Sequence, residues 1–82
     1  MQVEVITPDD KVFTGTAQGV KVPGSKGSFE VLQGHSALVS SLEKGKVRIR
    51  NGNQDIFVQI DGGVIEVQNN QVVILAEKAT VA

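Results

Sequence analysis

Eighty-two residues make one small domain with no room for a second, so residues 1–82 are read as a single unit. The formal net charge of −1 gives no electrostatic reason to expect a nucleic-acid partner, and the absence of cysteine excludes a disulfide scaffold, thiolate catalysis and a cysteine metal cluster. No apolar run approaches the ~18 residues of a membrane span, and the polar start Met1-Gln2-Val3-Glu4 is no signal peptide, so any membrane association is expected to come through a partner.

Valine and isoleucine together supply 20 residues against four leucines, and nine glycines accompany few aromatics; this favours short strands joined by tight turns. Val3 and Val5 alternate with Gln2 and Glu4, a half-buried strand that Ile6 continues. Thr7-Pro8-Asp9-Asp10 reads as a turn, with Pro8 suited to its second position. Lys11–Thr16 returns as a strand, and Gly15 marks a bend or bulge before Thr16–Val22. Pro23-Gly24-Ser25-Lys26-Gly27-Ser28 is the most turn-rich segment and must be an exposed loop leading to the strand Phe29–Leu32.

Gly34 can take φ > 0 at little steric cost, so Gln33-Gly34-His35-Ser36 forms a sharp corner between two apolar runs. Ala37–Leu42 is short enough to be strand or a helical turn by periodicity; strand or irregular backbone is favoured. Glu43-Lys44-Gly45 is expected to turn the chain again. Val47 and Ile49 then alternate with Lys46, Arg48 and Arg50, and Asn51-Gly52 is a type I′ hairpin signal leading to Ile56–Ile60. Gly62-Gly63 breaks or bends the strand before a last hairpin, Val64–Gln68, Asn69-Asn70 and Gln71–Glu77. Apolarity on both faces of Val72–Leu75 implies an interior strand, or one whose outer face meets a partner. The expectation is an all-β, compact β-sandwich of about nine to ten short strands, with no helix before Glu77.

Little in the chain suits catalysis. His35 is the only histidine, no cysteine exists, and no feature marks a paired serine nucleophile. Glu30, Asp55, Asp61, Glu66 and Glu77 have no metal-site or glycosidase spacing, so no metal or cofactor is implied. Gly24–Ser28 lacks the spacing and the following helix of a phosphate loop. The row Lys46, Arg48 and Arg50 ordinarily serves solvation and edge protection; the alternative is a meeting with an acidic partner surface.

Phe29-x-Val-Leu-x-Gly-His35-x-x-Leu38-x-x-x-Leu42-x-x-Gly45 resembles the central motif of the epsilon subunit of rotary F-type ATP synthases. Val5–Gly15 resembles that family's opening strand pair, and Asp61–Val67 with Val72–Glu77 its closing strands, so the resemblance spans almost the whole chain. Family members often carry prolines around the Gly-His corner; here Gln33 and Ala37 occupy those places and Glu30 stands where glycine is common, which leaves the corner less rigid in the unfolded chain.

The resemblance implies a non-catalytic rotor subunit without a cofactor, binding the gamma subunit and the c-ring and coupling proton flow to ATP synthesis. It implies a peripheral position on the cytoplasmic face of the bacterial inner membrane. Position by position, it assigns His35, Leu38 and Leu42 to the gamma contact, and Gly24, Ser25, Lys26, Gly27 and Ser28 to the c-ring contact. Typical members continue into a C-terminal helical hairpin that can inhibit ATP hydrolysis and, in some, bind ATP; a chain ending at Ala82 is expected to do neither by that route.

Two other readings compete. Lipoyl- and biotinyl-type carriers are also sandwiches of about this size with a lysine on a hairpin tip, and Lys26 is the candidate, although Ser25 and Gly27 are not the flanking residues such carriers present. A carbohydrate-binding sandwich is remote, because the chain has no Trp or Tyr to stack on a sugar.

Overall fold

The alternation of apolar and polar residues becomes strand along nearly the whole chain. The computed structural model describes all of residues 1–82, with eight strands and no helix. They are β1 (Gln2–Ile6), β2 (Lys11–Thr16), β3 (Gly19–Val22), β4 (Phe29–Leu32), β5 (Leu38–Asn51), β6 (Gln54–Gln68), β7 (Gln71–Ala76) and β8 (Ala79–Val81).

The count falls below nine because two expected breaks are bends. Ala37–Leu42 and the basic row belong to one strand, β5, which passes through Glu43-Lys44-Gly45 without turning back. Likewise β6 passes through Gly62-Gly63. β5 and β6 keep one antiparallel register from Leu38↔Val67 to Asn51↔Gln54, with a single pair missing at Glu43 and Gly62. The short β8, which sequence patterning missed, continues the register of β7 on β6: Gly63↔Ala76 is followed by Ile60↔Ala79.

These bends fall on one line. The Glu77 N–H donates to the Gly62 carbonyl (3.4 Å), the Asp61 N–H to Lys78 (3.1 Å), and the Glu43 N–H leaves the ladder for the Pro23 carbonyl (2.9 Å). Gly62 and Gly63 have φ of 84° and 156°, a backbone conformation that side chains disfavour, and there the pattern of buried positions changes phase. Before the bend β6 buries Val58 and Ile60; after it, Ile65 and Val67. Each long strand thereby leaves one layer and enters the other.

One layer holds β2, β1, β7, the second half of β6 and the first half of β5, with β1 parallel to β7. The other holds β4, β3, the second half of β5, the first half of β6 and β8. Val3, Val5, Ile65, Ile74 and Val72 from the first meet Val20, Val31, Val47, Ile49 and Val58 from the second, all fully buried. The result is the β-sandwich expected from the alternation.

Turn chemistry differs from expectation at one hairpin. Asn51 is still paired, with Gln54, so Gly52-Asn53 forms the loop, and only Gly52 has positive φ (63°). That is the type II′ pattern, with glycine at the first central position, rather than type I′. The type I′ pattern appears instead at Asn69-Asn70, with φ of 52° and 60° between Gln68 and its partner Gln71.

Candidate docking surfaces

The corner at His35 is a β-turn: the His35 N–H donates to the Leu32 carbonyl at 3.1 Å, and Gly34, at the third position, has φ of 78°. Its brace comes from far along the chain, since the Gly34 N–H donates to Asn70 Oδ1 at 3.1 Å from the tip of the β6–β7 hairpin. His35 is exposed, and its Nδ1 lies 2.7 Å from the Ser36 carbonyl. A carbonyl only accepts, so this contact places the proton on Nδ1 and leaves Nε2 for an external group.

Asn70→Gly keeps the left-handed turn available while removing the brace. It is expected to cost about 0.5–1.5 kcal/mol, the net worth of one hydrogen bond. Amide exchange should accelerate selectively at Gly34 and His35; unchanged exchange there would show that the brace does not hold the corner.

The expected contact residues do not form one group. Leu38 is half-buried against the core, beside the corner. Leu42 is 5% exposed and belongs to the core, its side chain filling the space between the layers. Its backbone pairs with Gly24, at the opposite end of the first half of β5 from His35. Along β5, Ser41 lies three residues, about 10 Å, beyond Leu38, which is itself three residues past His35.

The Gly24–Ser28 segment belongs to the hairpin loop between β3 and β4 and is fastened to β5. Gly27 N–H donates to the Gly24 carbonyl (3.0 Å), Ser25 N–H to the Ser41 carbonyl (3.1 Å), and Ser41 Oγ to Ser25 Oγ (3.0 Å). Lys26 is exposed at the tip. The loop is thus a tethered protrusion rather than a free flap.

Sequence reasoning named no contact residues on the surface with the most apolar exposure. On the outer side of the first layer, Ile6 lies beside Leu75 and Leu75 beside Val64 in successive ladders. Leu75 is 47% exposed, Val64 37% and Val39, on the neighbouring strand, 70%. Thr7, Pro8 and Glu77 rim a shallow hollow around Ile6, Val64 and Leu75. The signal was the double-sided apolarity of Val72–Leu75: β7 is interior to the sheet, and its outer face is uncovered. No group of three or more His, Asp or Glu side chains converges as a metal site, and no helix is long and apolar enough to cross a membrane.

The sequence model of the family described as ATP synthase, Delta/Epsilon chain, beta-sandwich domain matches residues 1–82. The chain belongs to this family. Among curated relatives, the ATP synthase epsilon chain of Herminiimonas arsenicoxydans is 40% identical over 81 residues, covering 96% of this chain and 58% of its own length. The ATP synthase epsilon chain of Helicobacter pylori strain P12 is 39% identical over 79 residues, covering 96% of this chain and 64% of its own. The chain therefore spans about three-fifths of the length of these relatives.

Solved structures agree on the fold. A chain of the Euglena gracilis mitochondrial ATP synthase, from a structure that includes the c-ring, superposes with a TM-score of 0.89 at 21% identity, over 96% of this chain and 51% of that one. A chain from the central stalk and c-ring of the Tetrahymena thermophila mitochondrial enzyme gives 0.79 at 20% identity, over 96% and 64%. Membership of the delta/epsilon family displaces the carrier reading of Lys26, since the match over residues 1–82 includes the loop that bears it.

Proposed function

We propose that this delta/epsilon-type domain acts as a non-catalytic rotor subunit of an F-type ATP synthase, joining the gamma subunit to the c-ring so that proton flow drives ATP synthesis. The observation that carries the reading is the match of the entire chain, residues 1–82, to the delta/epsilon sandwich family. Uncovered apolar area on a small sandwich supports it, because such area marks a partner surface. In this reading the Ile6–Leu75–Val64 face, with Val39, Leu38 and His35 at its margin, docks on gamma, and the Gly24–Ser28 loop rests on the polar loops of the c-ring. Leu42 contributes by holding the loop strand in place. Attachment to the cytoplasmic face of a bacterial membrane is then indirect, through the complex.

The two contacts should separate. His35→Ala is expected to leave the melting temperature within a few degrees, a surface effect of about ±0.5 kcal/mol. It should weaken gamma binding by about 1–2 kcal/mol through loss of the group offered at Nε2. Exchange of Ser25-Lys26-Gly27 for a neutral loop of equal length should spare gamma affinity and lower proton-driven ATP synthesis. If His35→Ala unfolds the domain while folded molecules bind gamma normally, the corner is structural and its assignment fails.

A further inference from the structure

The outer side of the second layer is a separate surface of opposite character. Register places Glu30 beside Lys21, Lys21 beside Arg48 and Arg48 beside Phe57 in one row across β4, β3, β5 and β6. Arg50 lies opposite Asp55 in the adjoining row, and Lys46 opposite Gln59 on the other side. Four cations thus face two carboxylates in a chain whose formal net charge is −1. Edge protection does not account for Arg48 and Arg50, because β5 is paired with both β3 and β6 there, and Lys46 is still paired with β6.

Internal pairing leaves most of this charge unmet. Arg50 Nη2 is 3.2 Å from Glu30 Oε2, and the other ion pair of the molecule, Lys11 with Glu4 at 2.9 Å, is elsewhere. Lys21, Lys46 and Arg48 therefore have no carboxylate within ion-pair distance. Lys46 Nζ sits 5.7 Å from the Phe57 ring centroid, and that ring is 36% exposed. The Nε of Arg48 is sequestered from solvent with no acceptor. The guanidinium of Arg48 also has no ion pair, and a charge-assisted hydrogen bond from its terminal nitrogens is the strongest contact an external carboxylate can make here.

We propose that this face is a docking surface for an acidic segment of a protein, with Arg48 at its centre, Lys21 and Lys46 flanking, and Phe57 as the apolar contact. Lys46 and Arg48 are alternate residues of one strand, about 7 Å apart along it. The segment it accepts presents carboxylates at a similar interval, as alternate residues of an extended chain do. Glu30 and Asp55 narrow the choice: they repel a uniformly anionic surface such as a lipid headgroup layer but leave room for carboxylates placed between them. The surface is on the other side of the sandwich from the Ile6–Leu75–Val64 face, so the proposal does not depend on where gamma binds.

The test uses the whole chain and two probes, a fluorescent glutamate-rich peptide and vesicles of phosphatidylglycerol. The peptide should bind with an affinity that falls as salt is added. Lys46→Gln with Arg48→Gln should lower that affinity about tenfold or more, whereas Lys11→Gln with Lys78→Gln, the same loss of charge elsewhere, should leave it nearly unchanged. On the native chain, peptide should shift the amide resonances of Lys21, Lys46, Arg48 and Phe57, a readout independent of whether the double variant folds. No peptide binding, equal loss in both double variants, shifts confined to other surfaces, or binding to vesicles alone would each overturn the proposal.

Discussion

Gly63→Ala is expected to destabilise the domain by about 3 kcal/mol or more, a large share of what so small a fold possesses. Gly63 sits at φ 156°, and a Cβ there would collide with the Leu75 carbonyl oxygen while lying 3.0 Å from Ala76 Cα and 3.1 Å from the Leu75 carbonyl carbon. All three atoms belong to the backbone of β7, which is paired on both sides and cannot withdraw without breaking a ladder. Gly52→Ala is the control: its φ is 63°, but nothing lies within 4 Å of the added Cβ. It should cost only the left-handed penalty of about 1–2 kcal/mol. Urea unfolding of both variants decides the matter. Equal midpoints would mean that β7 yields at the bend and the crossing is loose.

Val64→Thr combined with Leu75→Thr is expected to reduce gamma affinity by about 2–4 kcal/mol, the loss typical of central hot-spot side chains. The two residues are directly paired across β6 and β7, so both changes fall at one place on the apolar face. Threonine keeps the β-branched shape of Val64 and puts a strand-favouring residue at position 75, and both side chains are already partly in water, so the free domain should lose no more than about 1 kcal/mol. Binding titrations with gamma alongside thermal melts separate the effects. Full gamma affinity in the double variant would remove this face from the interface.

Much of the sandwich was legible because alternation is a strong signal where one face is buried. Val3, Val5, Val47 and Ile49 were readable as core from their alternation with polar neighbours, and each is buried. Glycine was harder to read: Gly34 and Gly52 end strands at turns, whereas Gly62, Gly63 and Gly45 lie inside strands that bend and continue. Local sequence cannot distinguish these, since the outcome depends on whether a neighbouring strand bends at the same level. β8 was missed for a similar reason, because three residues have too little pattern and are recruited by their partner β6. At the candidate surfaces, sequence located the His35 corner and the Lys26 loop but not the fate of Leu42, which periodicity leaves equally suited to core or contact. The family resemblance rested on Val5–Gly15, Phe29–Gly45 and the closing strands, and the match over residues 1–82 bears it out.

The bend shared by β5, β6 and β7–β8 governs how this body carries load. Two stacked sheets linked only by loops can slide over one another, their resistance limited to side-chain friction. Here the polypeptide itself runs through the crease: β5 and β6 each contribute to both sheets, and their ladder is interrupted at only one pair. Shearing one sheet past the other must then stretch covalent chain or strip hydrogen bonds from the longest ladder in the molecule. The domain resembles a plate folded once rather than two plates glued together. Under a pulling force applied across its faces it should yield in a single rupture event, with no intermediate in which one sheet survives alone.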